Sequence, residues 1–166
     1  MTNDTRNRHG SATIALPSDT EVLITRSFDA PAALVYKAYT TPELVRRWWG
    51  FETSEWLECE IDLRVGGMWR FVTRDDGMEV AFHGEYKELD APRRLVSTEV
   101  YEGIPDADDN AALDIVTFDE VDGVTTMSLL VQFTNQEGRD GLLASGMESG
   151  MQIGYDRMED LLHDMQ

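Results

Sequence analysis

The spacing of apolar and polar residues predicts where strands and helices begin and end along this chain. Residues 21–28 form a β-branched run that is typical of a strand. Pro31 suits the first position of a short helix, and a second helix is predicted to begin with Thr41 as its N-cap and Pro42 after it. Gly50 fits the position just past the end of that helix. The predicted order from the N-terminus is therefore a strand followed by two short helices.

Residues 57–133 change to a pattern that alternates with every second residue. Turn signals divide this region into about six strands, and the clearest signals are the Asp-Gly pairs at residues 76–77 and 122–123. On this alternation Trp69 and Phe71 point away from the arginines beside them, so we expect both rings to face the core. The region therefore predicts a meander of antiparallel strands with one buried face.

The C-terminal segment changes to the period of a helix. Its apolar stripe runs from Leu143 to Met165 and predicts one continuous long helix. The whole pattern is β-α-α-β(about six)-α, which belongs to the α+β class. Residues 1–19 are polar without periodicity and predict a flexible tail, so we expect a single domain over residues 20–166.

Three glycines, Gly146, Gly150 and Gly154, lie four residues apart on the predicted C-terminal helix. They share one side of the helix, and each interior glycine costs roughly 1 kcal/mol relative to alanine. One interpretation is that the helix approaches the sheet closely at these positions. The other is that the glycines leave space for a ligand, beside methionines whose flexible side chains suit an apolar guest.

The chain is strongly acidic, with 32 Asp and Glu residues against 14 Lys and Arg residues and a formal net charge of −18. A solubilising surface explains this most simply, with a basic partner as the alternative. The charge repels phosphates, so neither nucleic acids nor membrane surfaces are expected partners. A polar N-terminus and the lack of a long apolar run predict a cytoplasmic protein. Cys59 is the only cysteine and no metal-ligand or cofactor motif occurs, so we expect neither a metal nor a cofactor.

A series of short strings occurs in a characteristic order along the chain. The strings are Arg26–Pro31, Thr41–Leu44, Trp48–Gly50, Gly66–Phe71, Phe82–Tyr86, Pro92–Val96 and Gly150–Met158. Together they resemble the bacterial Hsp90-ATPase-activator-homologue (AHSA1-like) family of the START-like (SRPBCC) helix-grip superfamily. The resemblance extends over about residues 21–164, and the order and spacing of the strings make it specific.

The resemblance implies a helix-grip (Bet v 1-like) fold, in which a curved antiparallel sheet wraps around a long C-terminal helix and leaves a cavity between them. The wider superfamily includes lipid carriers, hormone receptors, polyketide cyclases and aromatases, so the fold does not fix the function. We expect a protein that encloses a small apolar or aromatic ligand. The residues predicted to line its cavity are Trp49, Trp69, Phe71, Phe82, Glu99, Met127, Leu129, Met147, Gly150, Met151 and Tyr155.

Two other functions stay open. An enzyme of the polyketide cyclase/aromatase or hydrolase type would use the same cavity, with His83 or Glu99 carrying protons and Tyr101 and Tyr155 as further polar groups. No catalytic motif supports this alternative. An Hsp90 co-chaperone is the third hypothesis, but the eukaryotic activators carry an additional N-terminal domain, and the segment before the first predicted strand is too short for one. The sequence leaves open whether the chain forms a homodimer.

Overall fold

The computed structural model describes residues 8–166, and its strands form one 8-stranded sheet with the order β1-β2-β8-β7-β6-β5-β4-β3. All neighbouring strands are antiparallel. The strands are β1 (Thr13–Ala15), β2 (Glu21–Phe28), β3 (Glu55–Ile61), β4 (Met68–Asp75), β5 (Met78–Asp90), β6 (Arg94–Tyr101), β7 (Ala112–Val121) and β8 (Val124–Gln132). The helices are α1 (Ala32–Thr40), α2 (Pro42–Trp48), α3 (Gln136–Ala144) and α4 (Met147–Asp164), and a short 3-10 helix spans Ala107–Asn110.

The predicted α+β fold class is confirmed. The two short helices α1 and α2 precede β3 to β8, which form the predicted meander. The Asp-Gly pairs adopt the left-handed conformation that a tight hairpin turn requires, with φ of 51° and 80° at Asp76 and Gly77 and of 53° and 79° at Asp122 and Gly123. Of the helices in residues 8–166, none has both the length and the apolar character that crossing a bilayer requires.

The core lies on one face of the sheet, which we call the inner face. In β2 every second residue is buried, and these residues are Val22, Ile24, Arg26 and Phe28. Because side chains alternate along a strand, this face continues onto the paired strand β8 through Met127 and Val131, which are also buried. The inner face is therefore apolar except for a few polar residues such as Arg26.

Helix α4 packs on the inner face through its C-terminal half. Met158 and Leu162 are completely buried, and Leu161 is 3% exposed. Helices α1 and α2 complete this end of the core, where the Trp48 indole Nε1 donates a hydrogen bond to the Ala38 carbonyl oxygen over 2.9 Å. The C-terminal half of α4 is thus enclosed by β-sheet on one side and by the two short helices on the other.

The single long helix predicted at the C-terminus is wrong in one respect, because the chain forms two helices. α3 ends at Ala144, α4 begins at Met147, and Gly146 between them has a φ of 78°. This left-handed conformation ends an α-helix and is accessible to glycine at little cost. Leu143 therefore belongs to α3, and the predicted apolar stripe is interrupted.

The remaining two glycines of the predicted stripe face the α2 region instead of the sheet. A Cβ atom added at Gly154 would lie 3.3 Å from the carbonyl oxygen of Trp48, the last residue of α2. A Cβ atom at Gly150 would lie 3.5 Å from the Phe51 ring. Gly154 thus permits the close approach that the first interpretation expected, but α4 approaches α2 here and not the sheet.

The segment for which the sequence predicted a flexible tail contributes a strand. β1 pairs with β2, with Thr13 opposite Thr25. The backbone of Ala12 exchanges two hydrogen bonds with the Gln152 side chain of α4, at 3.1 and 2.7 Å. Residues 1–7 of the predicted tail lie outside the described residues. Regular secondary structure is therefore present before residue 20.

A buried ion pair links α4 to the sheet. The Arg26 guanidinium is 1% exposed and contacts Glu159 at 3.4 Å and Asp156 at 3.2 Å, both on α4. The Phe28 ring centroid lies 4.8 Å from the Cζ atom of Arg26. Burial raises the pKa of Glu159, and the Arg26 charge opposes that shift. The buried Arg26 charge requires carboxylates beside it, and this requirement fixes the position of α4 on β2.

Removing one member of this pair is expected to destabilise the protein strongly. Arg26→Met leaves the buried Glu159 carboxyl without its cation, so the free energy of unfolding should fall by about 3–5 kcal/mol in urea denaturation at neutral pH. Arg26→Met combined with Glu159→Leu removes both buried charges and should recover most of that loss. A double variant that is less stable than Arg26→Met alone would contradict this role.

Candidate functional site

The inner face is only partly covered under the first turns of α4. Residues 147–153 of this helix contain no buried residue, whereas buried residues begin at Gly154. Several apolar side chains of α4, of the sheet and at the end of α2 pack against the core but stay half-buried, so solvent reaches them. We call the surface that they form the cleft, and its side chains are Trp49, Phe71, Phe82, Leu129, Met147 and Met151.

Aromatic rings form one wall of the cleft. The Trp49 ring centroid lies 5.4 Å from that of Phe71 and 5.6 Å from that of Phe82, and both contacts are edge-to-face. Trp69 adjoins Phe71 at 4.8 Å. Tyr101 adjoins Phe82 at 5.2 Å. Such tilted and perpendicular arrangements are those that aromatic rings prefer, and they make the wall a stable apolar surface.

A pair of carboxyl groups lies on the same inner face. Glu99 of β6 is opposite Ala112 of β7, and Asp114 of β7 is opposite Ser97, so the two acids are diagonal neighbours on one face. Asp114 shares its side of β7 with the buried Val116. Asp114 is 7% exposed, and its Oδ1 atom has no hydrogen-bond partner among residues 8–166. Glu99 is half-buried and is the more accessible of the two.

The surroundings of Asp114 favour its protonated form. Burial raises the pKa of Asp114 well above its usual value, and the charge of Glu99 and a hydrogen bond with it raise that pKa further. Burial raises the pKa values of Tyr39 and Tyr155. The charges of the nearby Asp114 and Glu99 raise both pKa values further. In its protonated form Asp114 is able to donate a hydrogen bond to Glu99.

The structure places the other predicted ligand residues at different depths. Trp69 and Tyr155 are buried, at 8% and 5% exposure, beside the half-buried side chains of the cleft. Gly150 is in the first turn of α4 and lies against the Phe51 ring. Met127 is 1% exposed and packs within the core cluster. Met127 therefore supports the core and does not line the cleft.

His83 lies on the outer face of the sheet, opposite Arg70 of β4. Its Nδ1 atom is 2.8 Å from Glu102, and its Nε2 atom is 3.1 Å from Asp108. Hydrogen bonds from Arg70, followed by that from His83, lower the pKa of Glu102 to about 2. His83 is therefore part of a surface network and cannot carry protons in the cleft, whereas Glu99 is on the inner face as strand parity predicted.

Asp114, Tyr39 and Arg26 are not among the site residues predicted from the sequence. A signal for Asp114 was present, because it has the same parity on its strand as Val116 and Phe118, which an inward-facing strand would bury. Tyr39 is near the C-terminal end of α1, and its ring stacks on the Trp48 ring at a centroid distance of 5.6 Å. Only the pairing of β6 with β7 brings Asp114 next to Glu99.

A second depression, of about 610 Å³, lies outside the cleft. Its lining includes Ala32 at the start of α1, Pro92 between β5 and β6, and Glu120 near the end of β7. It contains none of the residues predicted to bind a ligand. Because it is shallow and open to solvent, we assign no function to it.

Asp114→Asn is expected to raise stability at neutral and higher pH. Above about pH 4 the unfolded chain ionises this carboxyl while the folded chain keeps it protonated, so the native protein loses stability as the pH rises toward the raised pKa. Asparagine has no proton to lose and can still donate to Glu99. The gain in unfolding free energy should grow from near zero at about pH 4 to about 1–3 kcal/mol at about pH 8.

Asp119→Asn, an exposed position on the same strand, is the matched control and should change stability little at either pH. The titratable groups that interact with Asp114 in the native state are Glu99, Tyr39 and Tyr155. An Asp114→Asn gain that is equal at both pH values would contradict a proton held at this position.

Comparison with solved structures shows how widespread this fold is. A protein from Rhodobacter sphaeroides is 24% identical, with a TM-score of 0.83 over 93% of this chain and 99% of that one. A Mycobacterium smegmatis protein is also 24% identical, with a TM-score of 0.81 over 91% and 96%. An HSP90 activator from Plasmodium falciparum is 20% identical, with a TM-score of 0.64 over 87% and 96%. Similarity at these identities shows a shared fold.

A search of curated proteins found no match. The family model described as Activator of Hsp90 ATPase homolog 1-like protein matches residues 29–163. These residues include α1, α2, strands β3 to β8 and nearly all of α4, and therefore the whole cleft. The chain belongs to the Activator of Hsp90 ATPase homolog 1-like family, as the order of its short sequence strings predicted.

Proposed function

We propose that this protein binds a small apolar or aromatic molecule in the cleft. The observation that carries the proposal is the group of half-buried apolar side chains of the cleft, contributed by five separate parts of the chain. Half-buried apolar side chains such as Ile61 and Leu89 occur elsewhere as well, but within the cleft the half-buried rings of Trp49, Phe71 and Phe82 contact one another. Ligand sites are concave and mostly apolar with a few polar groups, which is the composition of this surface.

The energy available from this surface is adequate for a small ligand. Fully burying a large apolar side chain contributes about 1.5–3 kcal/mol, so a guest that covers the exposed half of one side chain gains roughly 1 kcal/mol. A ligand that covers several of them gains enough to offset part of its lost translational and rotational freedom. The aromatic wall adds edge and face contacts that favour a planar ring system.

An enzyme that uses the same cleft is a second candidate. The observation that favours it is the Glu99–Asp114 pair, since two carboxyl groups that share a proton can act as acid and base. This pair takes the place that the sequence analysis assigned to His83 or Glu99. A cyclase or hydrolase would show turnover that disappears in Asp114→Asn, whereas a binding protein would show none.

An Hsp90 co-chaperone role is the third candidate. It is favoured by the family to which the chain belongs and by the fold shared with an HSP90 activator. Acceleration of ATP hydrolysis by the Hsp90 of the same organism would support it. A binding role and a co-chaperone role predict different phenotypes for Met151, because a change inside the cleft should leave a surface interaction intact.

Replacing Met151 with glutamate is expected to weaken binding to the cleft. The probe is N-phenyl-1-naphthylamine, a neutral aromatic molecule whose fluorescence rises in apolar surroundings. Met151→Glu places a charge in the cleft that a bound apolar ring would desolvate, so the dissociation constant should rise by about tenfold or more. Fluorescence titration of the two proteins measures this change.

Met78→Glu is the matched control, because the same change is made at a methionine that is 72% exposed. It adds an equal charge to the protein and should leave the affinity for the probe within about twofold of the original. Thermal unfolding of both variants shows whether each one is folded. Failure of the unsubstituted protein to bind the probe, or equal weakening by both variants, would overturn the proposed function.

A further inference from the structure

The cleft carries a polar element that an apolar ligand alone does not require. Asp114 is more than nine-tenths buried, and its Oδ1 atom has no hydrogen-bond partner within the described part of the chain, although buried polar groups in native proteins are nearly always hydrogen-bonded. Glu99 lies beside it and is accessible from the cleft. Within a core, two neighbouring carboxyl groups reduce stability, so their presence calls for a role that packing does not supply.

We propose that the ligand of the cleft is an amphipathic monocation, an apolar or aromatic body with one protonated amine that contacts Glu99 and is supported by Asp114 behind it. This inference rests on the proposed function and names the ligand class for the same site. Glu99 supplies the accessible oxygens, and Asp114 supplies a second carboxyl group within the same low-dielectric surroundings. An ammonium group has three donors and no acceptor, which matches a site made of acceptors.

The charge of the site matches one amine. Burial and the neighbouring Glu99 favour the protonated form of Asp114, so one ammonium group is sufficient for the pair. The buried guanidinium of the inner face, Arg26, is already paired with Asp156 and Glu159, so it is not available to the Glu99–Asp114 pair.

The rest of the molecule favours the same ligand class. The formal net charge of −18 attracts cations and repels anions, which raises the local concentration of an amine and lowers that of a carboxylate. An anionic ligand such as a free fatty acid is disfavoured by the same charge.

A series of ligands with one shape and three charges tests the inference. The compounds are 2-naphthylmethylamine, which is a cation at neutral pH, 2-naphthylmethanol, which is neutral, and 2-naphthoate, which is an anion. Their dissociation constants are measured with the full chain by displacement of N-phenyl-1-naphthylamine at moderate salt. A charge-assisted hydrogen bond predicts that the amine binds at least about tenfold more tightly than the alcohol, with the anion weakest.

Glu99→Gln should abolish the preference for the amine over the alcohol, because glutamine keeps the shape but not the charge. Glu60→Gln is the matched control: it removes the same charge from an exposed position of β3 and should leave the preference unchanged. This control separates a local contact from the general attraction of an acidic protein for cations.

The outcomes distinguish the two proposals. Equal binding of amine and alcohol by the unsubstituted protein would overturn the monocation inference and leave the proposed binding function in place. A preference that survives Glu99→Gln, or that disappears equally in Glu60→Gln, would also overturn it. Binding of none of the three compounds, with no response to the neutral probe, would overturn the binding function and this inference together.

Discussion

The buried ion pair between Arg26 and α4 is the constraint on which the rest of the structure depends. A guanidinium inside a core is stable only where carboxylates meet it, so Glu159 and Asp156 determine which part of α4 lies over β2. Hydrophobic burial alone would allow the helix to slide along an apolar face at little cost. The ion pair removes this freedom and holds the C-terminal half of the helix in the core.

The cleft follows from where that contact lies. Because the ion pair and the fully buried Met158 and Leu162 are in the C-terminal half of α4, the first two turns of the helix cover the sheet incompletely. The break at Gly146 also prevents α3 from continuing the same helix axis across the sheet. The half-exposed aromatic and aliphatic side chains are thus a consequence of where the helix is held, and they form the surface that we propose for a ligand.

Asp114 shows a conflict between stability and function at this surface. A carboxyl that is protonated when folded and ionised when unfolded reduces stability at neutral pH. A core selected only for stability would carry an apolar residue in its place. Strained or costly groups of this kind are commonly found at functional sites, and the pair formed with Glu99 gives the cleft a charge that the aromatic wall lacks. Family membership identifies the fold and its general shape, whereas this pair concerns what this particular chain can bind.

Local sequence patterns determined the elements of this protein. The Asp-Gly turns, the Thr41–Pro42 helix start and the alternation around Trp69 and Phe71 each act over a few residues, so they can be recognised without the fold, and the observed elements agree with them. The inward direction of Glu99 was also predictable from parity. Tertiary structure alone decided the meeting of Asp114 with Glu99, the pairing of Arg26 with Glu159 and the packing of Gly154 against Trp48. These contacts join residues from different elements, and no periodicity within a single segment encodes the distance between two segments.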